Sequence, residues 1–305
     1  MFDIDPKARR LSKSEKNQYL NEGYVTGLPV FSESAVKDIH NWYDELSSKL
    51  PSDIDINKTN MWHKASKKFY DLCRTPTILD YVEDLLGPNF VQWGGQFFSK
   101  EPKDGSVVPW HQDAQYWPLN PSNAVTVWLA VFDTDEENAA MKVVAGSHKV
   151  GKFVHKKNDA KNLVLNQEVS FDQLDQSKIV SLNLKAGQIS LHNDALLHGS
   201  EANNSNRRRC GVTMRFSPTN VKGDLKIWPF FETQLARGVD KYKLNPTAQI
   251  PKGVAARMQH DTRALHSSRY RGTSVCLHAM AMQCANSSIA RLASTIASRP
   301  TRSHW

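Results

Sequence analysis

The residues with the most chemical content lie in Trp-His-Gln-Asp-Ala-Gln-Tyr-Trp-Pro-Leu, residues 110–119, and far downstream in Leu-Leu-His-Gly-Ser, residues 196–200. If residues 111–113 are extended, successive side chains alternate faces, so the His111 imidazole and the Asp113 carboxylate project to the same side. Two ligands then stand on one strand. A third from a distant strand completes a two-histidine, one-carboxylate facial triad, a donor set that suits non-haem Fe(II) and leaves positions open for a co-substrate and oxygen. His198 is the candidate third ligand. His-x-Asp alone is weak in a chain with 11 histidines, so its surroundings must carry the weight. After His198 a polar, turn-rich loop feeds Cys210-Gly-Val-Thr-Met-Arg-Phe, which reads as a strand with an arginine, Arg209, at its mouth.

Helices and then many short strands must position these groups. Ser12 and Glu15 form a capping box that opens a helix over residues 11–24. A second helix follows Ser32 or Ser34, with Val36, Ile39, Tyr43 and Leu46 at helical spacing. A third has Thr75 as its cap, Pro76 in its first turn, Ile78, Leu79, Val82 and Leu85 as its apolar stripe, and Gly87 as its stop. After Pro88 the texture changes to runs rich in Val, Phe, Trp and Thr. Strands are expected at 90–99, 107–113, 125–133, 141–144, 179–184, 188–192 and 210–218. The fold class is therefore α+β with a mainly β core, an antiparallel barrel or jelly roll with N-terminal helices packed on one sheet.

Alternation assigns faces. Val125, Val127, Leu129 and Val131 share one side, which should meet the helices, so Trp128 should look into the barrel. Along the last strand Cys210, Val212, Met214 and Phe216 form the core face, which turns Arg209, Gly211, Thr213 and Arg215 toward the cavity. A buried cation is costly unless an anion meets it, so two inward arginines call for two anionic groups, or one anion and one internal acid. Gly94 and Gly95 within a strand pattern signal a bulge, a close approach to something bound, or merely a loose edge. Ala145-Gly-Ser-His148 reads as a turn, with His148 a loop histidine rather than a ligand.

The 305 residues are 40% hydrophobic, enough for a real core, and contain no run of eighteen or more apolar residues that would span a membrane. The N-terminus lacks the apolar stretch of a secretory signal. Cys73, Cys210, Cys276 and Cys284 lack metal-finger spacing and read as reduced thiols of a cytoplasmic protein. The net charge of +8 could suggest a nucleic-acid partner, but from Val254 onward seven arginines face one acid, Asp261, and that tail carries most of the charge. The body is nearly neutral, as suits a small-molecule enzyme. The chain thus divides into a domain at 1–253 and an Arg/Ser-rich, lysine-free tail at 254–305 that reads as disordered or non-homologous, as an out-of-frame segment would be. An RNA- or membrane-surface-binding appendage is the other reading of the tail.

Four ordered motifs resemble the phytanoyl-CoA dioxygenase family over roughly Leu11 to Pro229. They are residues 72–89, Leu-Cys-Arg-Thr-Pro-Thr-Ile-Leu-Asp-Tyr-Val-Glu-Asp-Leu-Leu-Gly-Pro-Asn; Trp-His-Gln-Asp-x-x-Tyr-Trp-Pro-Leu; Glu-Asn-x-x-Met-x-Val-x-x-Gly-Ser-His; and His-Gly-Ser followed by Arg209. The resemblance implies a cupin-like double-stranded β-helix and Fe(II)- and 2-oxoglutarate-dependent oxygenation, with O2 as co-substrate and succinate and CO2 released. It makes His111, Asp113 and His198 the iron ligands and Arg209 the partner of the distal carboxylate of 2-oxoglutarate. A planar guanidinium grips such a group through paired charge-assisted hydrogen bonds. Ser200, Gln96 and Trp128 match further co-substrate positions. Ala145 stands where many relatives have proline, and Ala139-Ala140 replaces a Gly-containing turn; both should affect loops. Related halogenases replace the carboxylate ligand with a small residue, so the presence of Asp113 implies hydroxylation.

For the substrate, Arg215 with Thr213 nearby is the candidate anchor of a carboxylate, phosphate or phosphonate, the alternative being an internal salt bridge. Trp117, Tyr116, Trp93 and His63 either line the entrance or belong to the core. The rival to an oxygenase is a β barrel that binds a metal or small ligand without turning it over.

Overall fold

The computed structural model describes residues 2–50, 55–57 and 59–253. The basic tail, with Cys276 and Cys284, lies outside them. In chain order the helices are α1 (Lys13–Glu22), α2 (Glu33–Lys49), α3 (Trp62–Ala65), α4 (Lys67–Cys73) and α5 (Pro76–Leu86). The first strands are β1 (Tyr24–Pro29), β2 (Phe90–Lys100), β3 (Val108–His111), β4 (Leu119–Asn120), β5 (Val125–Ala130), β6 (Lys142–Val144), β7 (His155–Lys157) and β8 (Gln167–Val169). Then come β9 (Ile179–Ser181), β10 (Gln188–Asn193), β11 (His198–Ser200), β12 (Arg209–Pro218), β13 (Lys222–Gly223) and β14 (Gln234–Arg237).

The expected helix starts are present. Ser12 Oγ accepts from the Glu15 amide while the Glu15 carboxylate accepts from the Ser12 amide, closing the capping box of α1. Gly23, at φ 84°, ends that helix, so Tyr24 opens β1 instead of closing α1. Ser32, rather than Ser34, caps α2. Thr75 is at the cap position of α5 but does not cap: its hydroxyl donates back to the Leu72 carbonyl. The short helices α3 and α4 were not expected, being too brief to show a periodic stripe.

Two antiparallel sheets face each other, as expected for a jelly roll. The larger has the order β1-β10-β5-β12-β2-β14 and the smaller β3-β11-β6-β9. The helices cover the outer face of the larger sheet. Val125, Val127, Leu129 and Val131, with Cys210, Val212, Met214 and Phe216, pack there against Ile39, Trp42, Phe69 and Ile78. Each fully buried aliphatic side chain in such a layer contributes about 2 kcal/mol. Trp128 and Ala130 point the other way and join Met141, Val143, Leu182 and Leu184 between the sheets. Both alternation counts therefore hold. Cys73 and Cys210 are buried free thiols.

The strand expected over 107–113 is shorter. It ends at His111, and Asp113 begins a 3-10 turn through Gln115. Pro109, lacking an amide hydrogen, sits on this edge strand of the smaller sheet, where β3 and β11 slip in register between His198 and Ser200. Ala139 takes φ 68°, the left-handed conformation for which a glycine would have been the relaxed choice.

Candidate metal centre and cavity

His111 and His198 are direct neighbours across the β3–β11 ladder, and their ring centroids lie 4.1 Å apart. Each ring is fixed in the same way. His111 Nδ1 lies 2.8 Å from the Pro109 carbonyl and His198 Nδ1 lies 2.9 Å from the Leu196 carbonyl. A carbonyl oxygen only accepts, so both Nδ1 atoms carry the proton and both Nε2 atoms keep a free lone pair for a metal.

Asp113 completes the set without belonging to the strand. Gln112 keeps extended dihedrals, φ −108° and ψ 128°, so the Asp113 side chain returns to the side of His111 before the 3-10 turn begins. Gln112 points away, donating to the carbonyls of Gly151 and Ala195 and accepting from the Phe153 amide. One ligand atom from each of His111, Asp113 and His198 lies within 4.8 Å of the others. His111 Nε2 is 3.6 Å from Asp113 Oδ1, and His198 Nε2 is 4.0 Å from Asp113 Oδ2. Burial would raise the Asp113 carboxyl, but the imidazoles of His111, His192 and His198 outweigh it and hold the group well below the usual carboxylate range. Burial keeps the His198 imidazole well below its usual range, which favours the neutral ring. Two imidazoles and one carboxylate on one side of the cavity fit a divalent first-row metal of the non-haem iron type.

The cavity is walled by both sheets. Besides the three ligand candidates it is lined by Thr126, Trp128, His192, Ser200, Arg209, Thr213 and Arg215. At one end the Ser200 hydroxyl and Arg209 Nε have no hydrogen-bond partner although both residues are buried. The Arg209 guanidinium lies 5.1 Å from the centre of the Trp128 ring. Burial pushes Arg209 down to about 10, the mark of a charge awaiting a counter-ion. Gly211 makes this packing possible: a Cβ there would stand 2.0 Å from the Trp128 ring. Arg209 and Ser200 thus offer a carboxylate a charged fork and a hydroxyl, which fits a dicarboxylic keto acid chelating the metal.

Other sequence candidates are distributed less simply. Gln96 pairs with Thr213 and shares the cavity face, but its amide donates to the Asn57 carbonyl and it is absent from the cavity lining. Thr213 lines the cavity and donates to the Gln96 carbonyl. Trp117 is buried with Trp93 and Phe231, its ring 5.1 Å from the Arg215 guanidinium. His63 does not reach the cavity lining. It is buried against Gly95, on the helix side of β2. His148 approaches the Leu20 carbonyl, away from the triad.

The two glycines also have an explanation. Residue 93 bulges from β2, a Cβ on Gly94 would meet Arg215 Cδ at 2.8 Å, and one on Gly95 would meet the Phe69 ring at 2.8 Å. The close approach is to the protein's own side chains.

His192 is the cavity residue that sequence reasoning passed over. It is buried, both ring nitrogens lack hydrogen-bond partners, and Nε2 lies 3.7 Å from Asp113 Oδ2. The signal was present: with Ile189 and Leu191 on the core face, Ser190 and His192 fall on the cavity side.

A jelly roll with this donor set at its mouth defines a metal-dependent oxygenase scaffold. A sequence profile of the phytanoyl-CoA dioxygenase (PhyH) family matches residues 19–211, and the chain belongs to that family. It is 23% identical over 237 residues to peroxisomal phytanoyl-CoA dioxygenase of Bos taurus, covering 69% of each chain. Across the first curated relatives, the chain spans from 52% to 74% of their length. Among solved structures, the non-heme monooxygenase ThoJ in its apo form has the same fold, with TM-score 0.66 and 22% identity over 92% of this chain and 99% of that one. CytC3 with Fe(II) and alpha-ketoglutarate does so with TM-score 0.60 and 20% identity over 81% and 96%. No described helix is long and apolar enough to cross a membrane.

Proposed function

We propose that the protein is an Fe(II)- and 2-oxoglutarate-dependent dioxygenase that hydroxylates a C–H bond of a small, anionic metabolite and releases succinate and CO2. The observation that carries the reading is the convergence of three ligand atoms within 4.8 Å, with both imidazoles turned metal-ready by backbone carbonyls. Residues 1–253 form the catalytic unit in this reading.

Iron, when bound, would supply the oxidative chemistry that consumes 2-oxoglutarate and O2. The chain supplies everything else. His111, Asp113 and His198 would hold the metal at the cavity wall. Arg209 and Ser200 hold the far carboxylate of 2-oxoglutarate, which fixes the orientation of its metal-binding end. Trp128, packed between the sheets, supports the Arg209 guanidinium with its ring. The substrate enters the remaining space beside Thr213 and Arg215.

The test is anaerobic loading with Fe(II) and 2-oxoglutarate, then oxygen and a panel of small metabolites, with succinate as the readout. Substrate-stimulated succinate and a hydroxylated product support the assignment. Tight 2-oxoglutarate binding with no succinate from any metabolite would leave a ligand-binding barrel instead.

A further inference from the structure

The cavity contains a second buried cation that the co-substrate does not use. Arg215 is 6% exposed, its Nε has no hydrogen-bond partner, and no carboxylate of the described residues lies within 4.0 Å of its guanidinium. One face of the guanidinium rests on Trp117 at 5.1 Å, and Gly94 makes room for its stem. The internal salt bridge left open by the sequence is therefore absent among the described residues. Burial lowers the Arg215 pKa, and the nearest negative group felt, Asp113, offsets this only in part.

Charge counting shows what is missing, given the oxygenase reading on which this step rests. A divalent metal, the Asp113 carboxylate, a dianionic keto acid and the Arg209 guanidinium cancel. Lys100, paired with Arg209 across the ladder, is turned to the carbonyls of Ser106 and Glu201. Among the residues that line the cavity, Arg215 then remains as one uncompensated positive charge in a buried site, where an unmatched ion is costly.

Its position defines where the missing charge sits. Register across the larger sheet aligns His192, Thr126, Arg215 and Gly94 in one row. Thr126 Oγ1 and His192 Nε2 lie 3.5 and 3.7 Å from Asp113 Oδ2, so this row is level with the metal ligands. Arg209 is six residues away along β12, roughly 20 Å between Cα atoms at strand spacing, at the other end of the cavity.

We propose that Arg215 is a substrate-binding residue that pairs with a single negative charge on the substrate, so the substrate is a small organic monoanion whose reacting carbon lies within a few bonds of its charged group. A long-chain thioester with its charge far from the reacting carbon does not meet this requirement.

The test uses the full chain loaded with Ni(II) as a redox-inert metal and saturated with 2-oxoglutarate. Calorimetric titration with propionate, methanesulfonate and neutral propionamide separates a planar from a tetrahedral anion and both from an uncharged isostere. At least one anion should bind, and about tenfold or more tighter than propionamide, the worth of a charge-assisted hydrogen bond. Arg215→Gln should weaken that anion by about tenfold or more while 2-oxoglutarate affinity changes by less than about threefold, because the two sites are distant. If Arg215→Gln no longer folds, Arg215→Lys decides. Weaker anion binding with intact 2-oxoglutarate affinity supports the assignment. Anion binding that is no better than propionamide in the native protein, or unchanged in the variants, overturns it. Failure of the native protein to bind 2-oxoglutarate refutes the oxygenase reading instead.

Discussion

The two faces of the larger sheet are equally buried and chemically opposite. On the helix side, Leu129, Val212, Met214 and Phe216 are fully buried among other apolar side chains. On the cavity side, the same strands β5, β10 and β12 present Thr126, Ser190, His192, Arg209, Thr213 and Arg215. The Ser190 hydroxyl, both His192 nitrogens and the Nε atoms of both arginines have no hydrogen-bond partner. An unsatisfied buried polar group costs about 1–3 kcal/mol; His192, Arg209 and Arg215 line a cavity that a guest can fill, whereas His63, also unpartnered, is packed against Gly95 on the helix side. One face makes the sheet stable, and the other makes it useful at some expense of stability.

Substitutions on the two faces should therefore separate activity from stability. The largest effect is expected from Asp113→Ala, which removes the only anionic ligand: substrate-coupled succinate release should fall on the order of a thousandfold, with circular dichroism unchanged. On the opposite face Leu129→Ala should cost roughly 3 kcal/mol in denaturant unfolding by leaving a cavity, with the Michaelis constant for 2-oxoglutarate unmoved. Arg209→Gln should raise that constant by about ten- to a hundredfold, the loss of charge-assisted hydrogen bonds. Its melting temperature should hold or rise, because burial penalises that charge in the free protein. A simultaneous collapse of stability would show that Arg209 is part of the frame.

The smallest effect lies outside the sheet. Arg9, through its hydrogen bond, and the Ser12 cap hold the Glu15 carboxyl at about 2, below its ordinary 4.5. A depressed carboxyl stabilises the fold above about pH 4.5 and loses that contribution as pH falls toward 2. Glu15→Gln should thus cost about 1 kcal/mol or less at neutral pH, a cost that shrinks as pH falls through about 2.

Much of this contrast was legible in the sequence because strand periodicity is local. The counts along 125–132 and 209–216 placed Trp128, Arg209, Thr213 and Arg215 on the cavity side, where they are. The triad was legible through His-x-Asp spacing, although Asp113 reaches its place from a turn rather than a strand. His192 required the same count on β10, and it was overlooked because it belongs to no motif. Register and helix placement were not legible. Nothing local tells that His63 packs behind β2, or that Gly94 yields space to Arg215 far downstream, since both follow from which strands become neighbours. Helices of four and seven residues show no period to read.

The central claim is that three remote side chains hold one ferrous ion with a keto acid beside it. Anaerobic titration of Fe(II) into the protein with 2-oxoglutarate, followed by visible absorption, tests this directly. The account predicts a charge-transfer band that saturates at one iron per chain and is absent in Asp113→Ala. Saturation without such a band, or an undiminished band in Asp113→Ala, would contradict it.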